Sequence, residues 1–204
     1  MDQRTKWACI EDDLGQYNLF CNDEKIDQMQ LQLLGKHNMM NLTAAIAVLS
    51  NFELKPKDLI VGAKKFTGVK RRLEYLGQFS EIDLFDDFAH HPTSIKASIA
   101  AVKSTLDSSS LYAVVELASN TMKKGSLKSE LKKSFVDVDY AWILNSGNIQ
   151  WDIREEFAEI ENVAILKTLV DLPDQVQSKI KPGDSLIIMT NSDSMRISNV
   201  LKKK

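Results

Sequence analysis

Ile82-Asp83-Leu84-Phe85-Asp86-Asp87-Phe88-Ala89-His90-His91-Pro92-Thr93 runs from a strand through a polar turn into a helix start. Ile82 and Leu84 alternate with Asp83, the period of a pleated strand. Pro92 suits the first turn of a helix, and Thr93 can cap the helix whose apolar face holds Ile95, Ile99, Val102 and Leu106. Open α/β sheets keep their ligand crevices where a strand hands over to a helix. Two carboxylates and two imidazoles crowd that turn, and burying such a cluster is costly. The turn is therefore the first place to look for chemistry.

The same alternation continues downstream. Leu73 to Phe79 with Ile82 to Asp86 reads as a hairpin. Further strands read as Leu111 to Glu116, Tyr140 to Leu144, Val163 to Leu166 and Leu186 to Thr190. Helical patterns fall between them: Leu127, Leu131 and Phe135 on one face, then Trp151 to Ile160, Val170 to Ile180, and a last helix from about Ser194. Strands alternating with helices predict a Rossmann-like α/β unit, a mostly parallel sheet with helices on both faces and right-handed crossovers.

Upstream the texture differs. Trp7 to Leu34 is short and strand-like, with turns at Gly15 and around Asn22-Asp23. A helix is expected from Asn38, acting as N-cap, with Leu42, Ala45, Ile46 and Leu49 on one face. A second is expected from Pro56 to Lys65. The charged run Thr67-Gly68-Val69-Lys70-Arg71-Arg72 reads as a hinge. Residues 1–70 hold little core of their own, and the regular unit occupies 71–204.

Composition excludes several function classes. The chain has 204 residues, 44% hydrophobic and 26% charged, with 26 basic and 28 acidic side chains and a net charge of −2. Nothing there favours a nucleic-acid or membrane surface. Lys202-Lys203-Lys204 reads as a solvated tip. Cys9 and Cys21 have no metal-type spacing, and no apolar run approaches the ~18 residues of a membrane span. A soluble protein of a reducing cytoplasm is the expectation.

Other candidate groups also carry bland alternatives. Asn38 and Asn41 both project from a first helical turn and could serve a purine or ribose; capping explains Asn38 equally well. Arg71 and Arg72 suit phosphate, or a solvated basic turn. Glu116-Leu117-Ala118-Ser119-Asn120-Thr121-Met122-Lys123 offers hydroxyls, an amide and an ammonium at another strand end. Thr190-Asn191-Ser192-Asp193-Ser194 is explained by capping alone. At the opening turn, Asp86 or Asp87 could accept from ribose hydroxyls or touch a phosphate-bound Mg²⁺. Gly35-Lys36 lacks the upstream glycine and the following Ser or Thr of a P-loop, and no Gly-x-Gly-x-x-Gly occurs among the eight glycines. His37, His90 and His91 fit no common zinc spacing.

In order, His37-Asn38-x-x-Asn41, Gly68-Val69-x-Arg71-Arg72-Leu73-Glu74, Asp86-Asp87-Phe88-Ala89-His90-His91-Pro92-Thr93 and Ser119-Asn120-Thr121-Met122-Lys123-x-Gly125 resemble the Mur ligase family. The likeness spans about Gly35 to Met189. Within the family the last motif tilts toward the member that joins UDP-N-acetylmuramate to L-alanyl-γ-D-glutamyl-meso-diaminopimelate in peptidoglycan recycling. The resemblance implies that 1–70 is the end of a central ATPase domain and 71–204 a whole C-terminal domain. The phosphate-gripping loop, the Mg²⁺ ligands and the UDP-binding part would lie outside this chain, leaving the chain alone inactive. It further implies ATP and Mg²⁺ as cofactors, and nucleotide, UDP-sugar and peptide as partners. Asn38, Asn41, Arg72, Asp87, His90 and His91 would contact ATP; Ser119, Asn120, Thr121 and Lys123 would contact the peptide substrate; no metal ligand is assigned. Two departures stand out. Leu117-Ala118 replaces the family's Pro-Arg, whose arginine suits an acceptor carboxylate. Asn191-Ser192-Asp193-Ser194-Met195 replaces its glycine-rich loop. A non-catalytic binding module derived from the family, and the ligase that adds L-alanine to UDP-N-acetylmuramate, are the alternatives.

Overall fold

The computed structural model describes residues 6–14, 16–29, 34–52, 54–106, 108–145 and 147–202. Gly15, residues 30–33 and the terminal Lys203 and Lys204, for which a turn, strand-like chain and a basic tip were expected, lie outside the described residues. Two compact units form, Met1–Gly68 and Val69–Lys204.

In the first unit, β1 (Trp7–Glu11), β2 (Tyr17–Cys21) and β3 (Glu24–Met29) make an antiparallel sheet in chain order. Asn22 and Asp23 both take positive φ, as a two-residue hairpin turn requires. Helix α1 (Lys36–Leu49) starts two residues earlier than expected. Gly35, at φ 87, occupies the cap, and Asn38 lies inside the first turn, its amide donating to the Leu34 carbonyl at 2.8 Å. Ala45 and Leu49, expected on the covered face, are exposed; Met39 and Ile46 are buried. Helix α2 (Pro56–Lys64) follows. Leu19, Met29, Ile46, Leu59, Ile60 and Ala63 make the unit's small core.

In the second unit, β4 (Glu74–Phe79) and β5 (Ile82–Asp87) form the hairpin, and α3 (Pro92–Lys103) follows. Next come β6 (Leu111–Glu116), α4 (Asn120–Lys124), α5 (Lys128–Lys132), β7 (Tyr140–Leu144), α6 (Ile153–Glu156), β8 (Val163–Leu166), α7 (Leu172–Lys179), β9 (Ser185–Met189) and α8 (Ser194–Lys202). The sheet order is β4-β5-β9-β6-β7-β8, with β4 antiparallel and the rest parallel. The last strand in the chain is thus inserted at the centre. Leu84, Val114, Trp142, Leu166, Leu186 and Ile188 face α7 and α8, which contribute Leu172, Val176, Ile197 and Leu201. Phe85, Val115, Ile143 and Ile187 alternate with these and are buried as well. Helices cover both faces, so the central strands read as unbroken apolar runs.

Two helix expectations and one strand expectation change. The Leu127–Phe135 pattern is split into the short helix α5 and a 3-10 turn, Lys133–Phe135, while α4 ahead of it is a separate turn that Gly125 ends in the left-handed conformation. The expected Trp151–Ile160 helix shrinks to α6, whose cap Asp152 accepts from the N–H groups of Arg154 and Glu155. The last strand ends at Met189, leaving Thr190 free to serve the sheet edge.

Candidate functional site at the strand ends of the second unit

The registers put Asp87 beside Met189, and Met189 beside Val115. The C-terminal ends of β5, β9 and β6 therefore form one edge, and the singled-out residues of this unit lie along it.

Asp87 is 3% exposed. Its Oδ2 accepts from the Leu73 N–H at 2.8 Å and its Oδ1 from the Ala89 N–H at 2.7 Å. Leu73 and Arg71 hold φ of 52° and 58°, a region that costs non-glycine residues about 1–2 kcal/mol each. Glu74 secures the second of these by accepting from the Arg71 N–H at 2.8 Å. Asp87 thus ties the chain entering β4 to the chain leaving β5. Phe88 follows, its N–H donating to the Arg71 carbonyl at 2.8 Å. The guanidinium carbons of Arg71 and Arg72 lie 5.0 and 5.6 Å from its ring centroid, and the His90 ring meets it edge-on at 5.5 Å. The fold brings Arg71, Arg72 and His90 together around one phenyl ring, directly after Asp87 in the chain.

The two histidines do different work. Nδ1 of His90 lies 3.0 Å from the Phe88 carbonyl, which can only accept, so that nitrogen carries the proton and Nε2 is left as an acceptor in the neutral ring. His91 is the N-cap of α3: its Nδ1 accepts from the Thr93 N–H at 3.3 Å, and Ser94 Oγ accepts from the His91 N–H at 3.2 Å. The capping role expected of Thr93 is corrected, because Pro92 takes the first helical position, where its missing N–H does no harm.

Behind this turn lies a polar network that no local pattern revealed. Asp86, 2% exposed, accepts from the Ser194 hydroxyl at 2.6 Å and lies 3.6 Å from Arg71 Nε, an ion pair too long for a hydrogen bond. Its other oxygen is buried with no partner among the described residues. Burial pushes the Asp86 carboxyl above the ordinary carboxylate range, against the pull of Ser194 and Arg71. Arg71 also donates to the Thr190 carbonyl at 2.6 Å. The Thr190 hydroxyl donates to Glu116 at 2.7 Å, and Arg196 pairs with the other oxygen of that carboxylate. Glu116, Thr190, Ser194 and Arg196 are functional candidates that sequence reasoning passed over or left to capping. An acid closing the apolar strand Leu111–Glu116 was the one available signal.

At the end of β6, Ser119 caps α4, its hydroxyl accepting from the Met122 N–H at 3.3 Å. Asn120 and Thr121 are exposed and Lys123 is half-buried. Gly125 closes this turn at φ 76 against the Trp151 indole, where a Cβ would lie 2.5 Å from Cδ1. In the first unit Asn38 is half-buried and committed to Leu34, while Asn41 is exposed.

Among the described residues no group of three or more His, Cys, Asp or Glu side chains converges as a metal-ligand set. Asp86 and Asp87 already serve Ser194 and the backbone, so this edge does not fit a Mg²⁺ centre. Cys9 and Cys21 are free thiols that burial raises, which makes neither an activated nucleophile. No helix among the described residues is long and apolar enough to cross a membrane.

A mostly parallel sheet with a central return strand, a buried acidic edge and an arginine-flanked aromatic turn defines an α/β protein with a polar strand-end edge. Comparison gives the class a family. Residues 71–191 match the Mur ligase, glutamate ligase domain family, and the chain belongs to it. It is 33% identical over 181 residues to the UDP-N-acetylmuramate–L-alanyl-γ-D-glutamyl-meso-2,6-diaminoheptandioate ligase of Escherichia coli (strain K12), covering 88% of this chain and 40% of that one. It is 28% identical over 213 residues to the UDP-N-acetylmuramate–L-alanine ligase of Fusobacterium nucleatum, covering 96% and 45%. The crystal structure of a murein peptide ligase from Psychrobacter arcticus 273-4 superposes with a TM-score of 0.71 at 28% identity, covering 100% of this chain and 45% of that one. The chain spans less than half the length of these relatives.

Proposed function

We propose that this chain is the C-terminal portion of an ATP-dependent ligase. The complete enzyme joins UDP-N-acetylmuramate to L-alanyl-γ-D-glutamyl-meso-diaminopimelate in the cytoplasm, as a step of peptidoglycan recycling. The observation that carries this reading is the 33% identity to the Escherichia coli peptide ligase over 88% of the chain. On it, residues 1–70 are the end of the central ATP-binding domain and 71–204 the C-terminal domain.

In the reaction the γ-phosphoryl group of ATP passes to the muramyl carboxylate, and ADP leaves. The peptide amine attacks the acyl phosphate, and phosphate departs from the tetrahedral intermediate. Catalysis of this kind is mostly positioning and charge stabilisation. Asn38 and Asn41 contact the adenine and ribose. Arg72, steadied on Phe88, faces phosphate. Asp87 reaches the ribose with the lone pairs that Leu73 and Ala89 leave, and His90 offers Nε2 beside it. His91 adds its ring at the first turn of α3. Ser119, Asn120, Thr121 and Lys123 meet the acceptor peptide. Mg²⁺ would be held mainly by residues outside this chain, and none of these roles depends on it.

The test is ligation by the complete protein with ATP, UDP-N-acetylmuramate and either the tripeptide or L-alanine as acceptor. The reading expects ADP and amide product in equal amounts with the tripeptide. The likeness to the L-alanine ligase favours a second reading, in which L-alanine is the preferred acceptor. Binding of nucleotide or peptide without product points instead to a non-catalytic module.

A further inference from the structure

We infer that Arg196 is the acceptor-recognition cation of this edge, binding a carboxylate of the incoming peptide; the inference rests on the ligase reading above. Glu116 closes β6 with its side chain 1% exposed, one oxygen on the Thr190 hydroxyl and the other on Arg196. A buried carboxylate in that position fixes a guanidinium in place, since releasing it would leave an unpaired charge in the interior. Only one terminal nitrogen of Arg196 is used in the pair, and the side chain remains 40% exposed. A guanidinium carries five N–H donors in a rigid fork, so most of the fork is left to meet a ligand.

The surroundings leave this role to Arg196. Arg71, the other guanidinium reaching the interior of the edge, is spent on the Thr190 carbonyl, Asp86 and the Phe88 ring. Position 118, two residues beyond Glu116, carries only a methyl group. Residues 194–197 open α8 without an acidic side chain, and Asp193, just ahead of them, accepts from the Met195 N–H at 3.0 Å. The acceptor named for the Escherichia coli relative, a γ-glutamyl diaminoheptanedioate peptide, carries several carboxylates beside its reacting amine. A planar carboxylate is the group that a preset fork binds bidentately.

The experiment compares the complete protein with its Arg196→Met, Arg196→Lys and Glu116→Gln/Arg196→Met variants. KM is measured for ATP, UDP-N-acetylmuramate, the tripeptide and a tripeptide whose carboxylates are amidated. Arg196→Met is expected to raise the tripeptide KM about tenfold to a hundredfold while the other two constants hold, with partial recovery in Arg196→Lys. The wild type is expected to favour the carboxylate over the amide, and the methionine variant to lose that preference. The double variant removes the buried charge with its partner, so it tests recognition even where Arg196→Met fails to fold. An unchanged tripeptide KM, equal shifts in all three constants, or retained carboxylate preference overturns the inference and leaves the ligase reading intact. A wild type that ligates no peptide overturns both.

Discussion

The two units of this chain differ in sequence texture and reach different degrees of completeness. Val69–Lys204 buries a six-stranded sheet between helices, and its central strand β9 is buried at every position. Met1–Gly68 places two helices and a three-stranded sheet around a handful of buried side chains. Yet among the described residues it exposes nine large apolar side chains, Leu14, Met40 and Phe52 among them, whereas the unit twice its length exposes five, Val69, Tyr75, Val136, Val170 and Met195. The lesson is that a helix can form with its apolar residues facing the wrong way for a core of its own. Helix α1 has apolar residues on several sides, and only Met39 and Ile46 are buried.

The largest test of that contrast is to separate the units. Residues 69–204 alone should unfold in one cooperative transition, while residues 1–68 alone should show none, since a domain that small with so little core is marginal. Circular dichroism during urea titration reads both, and a cooperative transition in 1–68 would show that its small core suffices.

Within the second unit, the next effect belongs to Asp87. Asp87→Ala orphans two buried N–H groups and should cost about 2–5 kcal/mol by denaturant titration. A change below half a kilocalorie would remove Asp87 as the clamp between β4 and β5. Its KM for ATP in the complete protein therefore has to be read beside its stability. Gly125→Ala comes third, at about 1–3 kcal/mol, because an L side chain at φ 76 is strained and its Cβ meets Trp151. An unchanged Tm would show that the indole moves aside at no cost.

The smallest effect is a pH dependence at Asp86. Its folded-state pKa is raised above 3.8, so the folded protein holds the proton more tightly than the unfolded chain. Asp86 then contributes a loss of stability as pH rises from about that value through the raised one. Asp86→Asn keeps an oxygen for Ser194 and removes this loss. Its stability relative to wild type should grow between pH 4 and pH 7. Growth in the opposite direction would mean that Arg71 outweighs burial.

Much of the second unit was legible because strand and helix periods alternate cleanly: β6, β7 and β8 fall on the apolar runs Leu111–Glu116, Tyr140–Leu144 and Val163–Leu166. The insertion of β9 between β5 and β6 was not, because pairing partners leave no mark on a run buried on both faces. The opening turn announced itself through adjacent charges. Its division of labour did not, since His91 as a cap and Asp87 as a backbone clamp depend on atoms rather than residue types. The Glu116–Arg196 pair joins positions 80 apart in the chain, a separation no local pattern spans. In the first unit Gly35 was a visible helix-start signal that Asn38 overshadowed.

Whether this chain is one part of a ligase whose phosphate-gripping portion lies elsewhere is decided by a single assay. The 204-residue chain is incubated with ATP, UDP-N-acetylmuramate and the tripeptide, beside the complete protein at equal concentration. Amide product is expected from the complete protein and none from the chain alone. Product from the chain alone at a comparable rate would contradict that expectation.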